Sequence, residues 1–258
     1  MSVPSPLRYL EHEVTVYRRV WRSSVASSFL APVLYLLAIG STLGKSIDQH
    51  GVGRFGGVSY LVWLAPGLLA ANAMQVASQE SFHPVLGGFR WTRHFVAAAA
   101  TPLRPQDLVC SWLMWVALRT LLVSTVFLLV STAFGAIRSP LAIAALPVAS
   151  LTALAFAGPF TAWSATRQND ESFPALQRFA IVPMFLFSGA FFPITQLPPA
   201  ARLVAFVLPL WHGVALCRAL ALGHPGLWAS IGHLVVLCAY ASVGAALSVL
   251  AFRRRLRA

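Results

Sequence analysis

Residues Ser139 to Thr166 read SPLAIAALPVASLTALAFAGPFTAWSAT, 28 consecutive positions without a charge. A helix rising about 1.5 Å per residue needs about 20 apolar residues to cross the hydrocarbon of a bilayer. The stretch therefore predicts a membrane span. The same pattern recurs at Ser23–Gly44 (22 residues), Phe55–Gln79 (25), Phe179–Ala201 (23) and Ala219–Phe252 (34). A further span runs from about Leu108 to Phe134, with Arg119 inside it. The predicted fold is an all-α membrane protein of six transmembrane helices, at about 25–44, 58–79, 108–134, 140–166, 175–195 and 228–252. These make up a membrane domain over residues 25–258, preceded by a segment over 1–24.

Composition leads to the same class. Of the 258 residues 58% are hydrophobic and 10% charged, against about 25% charged in an ordinary soluble domain. Mean hydropathy is +0.73. This excludes a soluble enzyme, a secreted disulfide scaffold and a disordered chain. The net charge of +12, from 19 Lys+Arg and 7 Asp+Glu, is explained by topology, and no nucleic-acid partner is expected. With both termini in the cytoplasm, 13 arginines face inward (Arg8, Arg18, Arg19, Arg22, Arg90, Arg93, Arg104, Arg167, Arg178, Arg253, Arg254, Arg255 and Arg257). Five basic residues face outward: Lys45, Arg54, Arg138, Arg202 and Arg218. The expected location is the cell membrane. The first apolar run ends in Gly44-Lys45 without an Ala-x-Ala site, so it is expected to remain as an anchor. Cys110, Cys217 and Cys238 lie far apart in apolar stretches and are read as buried small hydrophobes.

The acidic residues narrow the function. They are Glu11, Glu13, Asp48, Glu80, Asp107, Asp170 and Glu171, and none is expected at mid-membrane, which argues against ion-coupled transport. There is no carboxylate pair for acid–base work, no His-Glu-x-x-His zinc site and no Gly-x-Ser-x-Gly elbow. Gly40-Ser-Thr-Leu-Gly44-Lys45-Ser46 imitates a phosphate loop but has three residues between its glycines where four are required. It also ends a span on the expected outer side. No catalytic, metal or cofactor-binding residue is assigned to this chain, so energy for uphill transport must come from another subunit.

Three segments carry a family resemblance. Leu186-Phe-Ser-Gly-Ala-Phe-Phe-Pro-Ile-Thr-Gln-Leu-Pro198, followed by Leu208-Pro-Leu-Trp-His212, resembles the signature of type 2 ABC transporter permeases. Leu64-Ala-Pro-Gly-Leu-Leu69 and Ala99-Ala-Thr-Pro-Leu-Arg-Pro-Gln-Asp107 support it. The chain is most similar to the branch of nodulation-type lipo-oligosaccharide exporters and daunorubicin-type drug and lipid exporters, over nearly its whole length. The resemblance implies a dimer of six-span permeases, identical or paralogous, on two cytoplasmic ATPase subunits that bind ATP and Mg. Trp211 departs from the family, which often has Thr or Tyr before the motif's histidine; this points to an altered outer gate or lipid contact.

Candidate sites follow, each with a plainer alternative. Leu10, Val14, Tyr17 and Trp21 recur at helical spacing, with Arg18, Arg19 and Arg22 beside them, as in an amphipathic helix lying on the inner membrane surface. Plain anchoring is favoured over a joint role in holding the ATPase. Phe89, Arg90, Trp91, Arg93, His94 and Phe95 mix aromatic and basic residues where the family places its coupling helix. The alternative is an interfacial helix touching only headgroups; Glu80 either caps or salt-bridges it. Arg119 lies about 18 Å along the helix from Asp107. It either contacts cargo or, the favoured choice, makes a structural bond to a neighbouring helix. Trp112, Trp115 and Phe187 are candidates for a cargo path, as are Trp63, Trp163 and Phe185, against ordinary packing or interfacial belts. Residues 193–216 read as two short outer re-entrant helices broken at Pro209. Phe191, Phe192, Pro193, Trp211 and His212 would form an outer gate, or a packed cap.

The resulting expectation is the permease subunit of an exporter for an amphipathic cargo: a lipid-linked oligosaccharide, a lipid or a hydrophobic drug. A membrane scaffold without transport, or a membrane-embedded lipid-modifying enzyme, is the alternative.

Overall fold

The structure, a computed structural model, describes residues 6, 7, 9–18, 34, 36–38, 55 and 57–257. Most of the first expected span, Trp21 and the Gly40–Ser46 segment lie outside the described residues. Every regular element among the described residues is helical.

Residues 9–18 form helix α1. Next, α2 (Tyr60–Ser81) runs through Pro66 and is buried on nearly all sides. Pro84 has no N–H for the Glu80 carbonyl, and the chain bends at Phe82 (φ −88°, ψ −90°) into α3 (His83–Arg90). The ladder survives around the bend, with Phe82 N donating to Ser78 O and Leu86 N to Phe82 O, both at 3.1 Å. Together α2 and α3 make a 31-residue apolar helix. Arg93, in left-handed conformation (φ 53°), turns the chain into α4 (His94–Ala99). The long α5 (Pro105–Ala133) opens with Pro105 in its first turn, and the Asp107 carboxylate accepts from Arg104 N at 3.0 Å.

A 3₁₀ turn over Pro140–Ala144, capped by Ser139 Oγ accepting from Leu141 N at 3.2 Å, leads into α6 (Ala145–Ala165). The chain then forms α7 (Phe173–Leu176), a π-helical stretch Gln177–Ile181 and α8 (Val182–Phe187). Pro183 lacks the N–H that an α-helical turn would give to Phe179, which accounts for the widened turn before it. The bundle closes with α9 (Pro199–Val207), α10 (Pro209–Leu222) and α11 (Leu227–Arg257). Leu208 is extended, as the residue before a proline prefers, and α9 and α10 meet at 83°. Gly223 (φ 81°) ends α10.

Four helices among the described residues are long and apolar enough to cross a membrane, or five if the bent α9–α10 pair is one span. The expected span at 175–195 is shorter: helical geometry stops at Phe187, and Gly189 (φ 79°) turns the chain away. The break at Pro209 falls where the sequence reading placed it. Two cysteine expectations are corrected. Cys217 is buried, but Cys110 and Cys238 are exposed on the outer faces of α5 and α11, where an apolar run faces lipid instead of protein.

Helix α6 occupies the centre, against α2, α5, α10 and α11. Its crossing with α11 is backbone to backbone. A Cβ on Gly158 would lie 2.6 Å from Gly244 C, and one on Gly244 would strike the Pro159 ring. Ser248 Oγ donates across the gap to Gly158 O at 2.7 Å. Small residues at such crossings let membrane helices approach closely.

Gly244→Val is expected to destabilise the fold by about 1–3 kcal/mol through overpacking. Gly232→Ala in the same helix, where an added Cβ meets open space, should be neutral or stabilising. Thermal unfolding of both variants in detergent checks this.

Candidate functional site

The chain has two differently built ends. One gathers Arg90, Arg93, Arg104, Arg167 and Arg253 to Arg257, and is called here the arginine-rich end. At its centre Phe95 is fully buried, its ring 5.0 Å from Phe89 and from Phe252, 5.6 Å from Trp112 and 6.1 Å from Tyr9. Gly87 and Gly88 make room for this cluster. A Cβ on Gly88 would collide with Phe95 and His94, and one on Gly87 would come 2.9 Å from the Trp91 ring. On this base Arg90, Trp91, Arg93 and Val96 point outward, Trp91 at 64% exposure. They line an open groove of about 1020 Å³ that also takes in Gln168, Arg255 and Leu256. Arg90 donates to Gln168 Oε1 at 3.3 Å. Arg255 donates to the carbonyls of Ala165 (3.1 Å) and Arg167 (2.7 Å) and lies 5.4 Å from the Phe89 ring centre. The C-terminal turn of α11 is thus fastened to the end of α6.

His94 is held neutral by its surroundings. Thr92 donates its hydroxyl to Gly87 O at 3.2 Å, so its oxygen is free to accept from His94 Nδ1–H at 2.9 Å. This leaves Nε2 bare, buried and without a partner among the described residues. Burial, followed by the nearby His12, pushes the imidazole below its ordinary value of 6.5.

Midway along α5, Arg119 is the fifteenth of 29 residues. Its Nε lies 3.4 Å from Glu80 Oε1, with the two side chains only 20% and 15% exposed. Trp115 donates its indole N–H to Glu80 Oε2 at 3.1 Å. Tyr17 of α1 covers the pair, 4.8 Å from the Arg119 guanidinium and 5.4 Å from the Trp115 ring. The expectation that the second apolar helix ends at Gln79, before Glu80, is corrected here. Because the helix runs on through the Phe82 bend, Glu80 sits beside the middle of α5 and not at the start of a polar loop. Both its oxygens are engaged by α5.

The opposite end is held by Arg218, one of the five basic residues expected to face outward. It stands inside α10. Its Nε donates to Trp63 O at 3.1 Å, and its Nη2 to the carbonyls of Gly189 (3.0 Å) and Ala190 (3.4 Å). The guanidinium lies 3.7 Å from the Trp63 ring centre. Tyr60 donates to Phe191 O at 2.9 Å. Beside this, His212 Nε2 donates to Phe206 O and its Nδ1 meets His233 Nδ1, both at 2.9 Å. Trp211 packs on both imidazoles.

A profile of the ABC-2 type transporter family matches residues 9–222. The chain belongs to the ABC-2 type transporter family. It is 34% identical over 250 residues to Nodulation protein J of Rhizobium leguminosarum bv. trifolii, covering 94% of this chain and 93% of that protein. The protein of the same name from Rhizobium meliloti is 34% identical over 240 residues (93% and 89%), and that from Bradyrhizobium diazoefficiens 30% over 240 residues (93% and 89%). Family membership makes this a multi-pass membrane protein of an ABC transporter and implies an ABC ATPase partner.

In this ABC-2 chain the residues singled out from the sequence fall in three places. Phe89, Arg90, Trp91, Arg93, His94 and Phe95 share the arginine-rich end, but only Arg90, Trp91 and Arg93 are presented outward; Phe89 and Phe95 are buried supports, and His94 is part-buried beside them. Trp112 and Trp115 are buried within the chain, the first on Phe95 and the second on Glu80. Phe187 ends α8, exposed and apart from them. Phe191, Phe192 and Pro193 form the turn above Tyr60, and a Cβ on neighbouring Gly189 would lie 3.7 Å from Trp211. Trp211 and His212 are thus brought to the same end. Sequence reasoning missed Arg218, His233 and Tyr9, and left the Glu80 partner open. An isolated charge in a span was the available signal for the last, since it demands a counter-charge.

Glu80→Gln and Arg119→Gln are each expected to cost about 1–3 kcal/mol by stranding a half-buried partner. The double variant should cost less than the sum; a double-mutant cycle on thermal unfolding reads this. His94 titrates with a definite sign. Its folded value lies below the unfolded one, so stability is complete above about pH 6.5 and falls as the pH drops below it. Limited proteolysis of the 83–100 segment should accelerate between pH 7.5 and pH 5. His94→Asn, whose amide can still donate to Thr92, should flatten that dependence.

Proposed function

We propose that the chain is the transmembrane permease subunit of an ATP-driven exporter for an amphipathic cargo: a lipid-linked oligosaccharide, a lipid or a hydrophobic drug. The arginine-rich end faces the cytoplasm with both termini, following the excess of arginine there. Two such permeases, identical or paralogous, stand on two copies of a separate ATPase, which holds ATP and Mg and carries out hydrolysis. This chain performs no covalent chemistry.

The observation that carries this reading is the exposed crown of Arg90, Trp91, Arg93 and Val96 on the buried Phe89–Phe95–Phe252–Trp112 cluster. A permease driven from outside needs a docking surface that a partner can grip and that does not yield when pushed. Exposed aromatic and arginine side chains supply the grip, being the residue types that anchor interfaces. The aromatic cluster supplies the stiffness, because close-packed interiors transmit strain. ATP binding then biases the permease pair between inward- and outward-open states. At the far end the α9–α10 pair, bent at Pro209, acts as a re-entrant lid over the exit. The similarity to proteins named Nodulation protein J favours the lipo-oligosaccharide class among the cargoes.

The test is reconstitution of the chain with its ATPase in lipid, with Arg90, Trp91 and Arg93 replaced by Ala. These side chains are exposed, so thermal stability of the permease should be unchanged. ATPase assembly, or cargo-stimulated hydrolysis, should be lost. An ATPase that fails to bind the wild-type chain, together with a variant indistinguishable from it, would sink the exporter reading in favour of a scaffold.

A further inference from the structure

A second basic site lies on the flank of the bundle. Leu247, Leu250, Ala251 and Arg254 follow one another at i, i+3, i+4 and i+7 on α11, so they form one stripe that passes from apolar to basic. Facing them, Pro159, Ala162, Trp163 and Thr166 of α6 and its C-terminal cap complete a groove of about 620 Å³. Its walls are apolar along the helices and contain no carboxylate among the lining residues. Its end is closed by Arg254, Arg255 and Gln168.

The charges at that end are unequally committed. Arg255 is engaged by the carbonyls of Ala165 and Arg167. Arg254 is exposed and has no hydrogen bond or ion pair among the described residues. Arg167 lies with its guanidinium 4.8 Å from the Trp163 ring centre, and its buried Nε has no partner among the described residues. Of the acids that follow α6 in the chain, Asp170 is paired with His83 at 3.6 Å, and neither it nor Glu171 lines the groove. The apolar run of α11 ends at Phe252, and the arginines begin at Arg253. The groove therefore crosses the level where hydrocarbon gives way to headgroups.

We infer that this groove binds an anionic glycerophospholipid, with its phosphate on Arg254 beside Thr166 and Arg167, and an acyl chain laid along Leu247, Leu250 and Pro159. Charge complementarity selects the headgroup, since a zwitterionic lipid would bring a cation to a site already rich in arginine. The apolar stripe selects a lipid over a free anion. Basic pockets between membrane helices bind anionic headgroups in this manner. The occupant would hold the last turn of α11 against α6, at the joint where Arg255 reaches Phe89.

The full-length chain in detergent, with its ATPase bound, is titrated with dioleoylphosphatidylglycerol, dioleoylphosphatidylcholine and soluble glycerol 3-phosphate, and bound species are counted by native mass spectrometry. Phosphatidylglycerol should bind in preference to phosphatidylcholine. Arg254→Gln should weaken it about fivefold, the loss of one basic residue at an anionic surface, while Arg254→Lys retains it. Leu250→Trp, or Ala162→Phe from the opposite wall if the first variant does not fold, should displace both lipids. Equal binding of the two lipids, an unchanged affinity in Arg254→Gln, or glycerol 3-phosphate binding as tightly as the whole lipid would each overturn the inference.

Discussion

A guanidinium held by backbone carbonyls ties one end of this protein together. Arg218 could be buried only where oxygen atoms already converge, because an unpaired charge in an apolar interior is costly. The converging atoms are backbone carbonyls of two other elements: Trp63 in α2, and Gly189 and Ala190 in the turn after α8. Those carbonyls are available for definite reasons. Trp63 lies in the turn that Pro66 loosens, since Pro66 has no N–H to give to the adjacent Val62 carbonyl, and Gly189 (φ 79°) turns the chain out of helical geometry. Gly67 completes the site by omission, since a Cβ there would lie 2.7 Å from Nη2. The Leu186–Pro198 motif, α2 and α10 are therefore one unit. The Tyr60–Phe191 bond and the Trp211–His212–His233 cluster are built on it.

The arginine-rich end uses the opposite strategy. Its centre is aromatic and its charges are displaced outward, where they are solvated and free to meet a partner. Four rings from four elements converge on Phe95, so α1, α3, α5 and α11 all support the exposed crown. The end is rigid because its supports are apolar and closely packed, and adhesive because its surface is not. The Glu80–Arg119 pair links the two strategies. Glu80 stands two residues before the Phe82 bend, and Trp115 and Arg119 hold it on α5. The C-terminal end of α2 is thereby fixed while α3 departs at its own angle.

Much of this was legible in the chain itself. Apolar run lengths located α5, α6 and α11 to within a few residues, because lipid imposes a length that composition must meet. Proline marked both breaks that matter, at Pro84 and Pro209, although only the second was read as one. The sequence places the end of the second apolar run at Gln79, because a charge such as Glu80 usually ends a span. Here the helix continues, since Arg119 neutralises the carboxylate across a helix pair that no local pattern reveals. The role of Arg218 was hidden for a related reason. Its partners are backbone carbonyls, and carbonyls carry no residue identity. Tyr9 and Gly88 belong to a cluster assembled from segments about 80 residues apart, beyond the reach of periodicity.

The distribution of committed and uncommitted charge then bears on how such a chain can be driven. Glu80, Arg119, Arg218 and Arg255 all spend their hydrogen bonds inside the protein, and each ties one helix to another. Arg90, Arg93 and Arg254 do little of this and lie at the surface. A load applied at Trp91 is received by Gly87 of α3, beside which its ring lies, and passes through α3 to Phe89 and Phe95, then to Phe252 of α11 and Trp112 of α5. These are ring contacts of about 5 to 6 Å with no intervening polar group. The Phe82 bend offers the nearest place to yield, because Pro84 has already removed one rung of its ladder. Above it, Glu80 resists displacement through two bonds to α5. Movement of α3 about Phe82, against an α2 held by Glu80 below and Arg218 above, is the deformation this architecture opposes least.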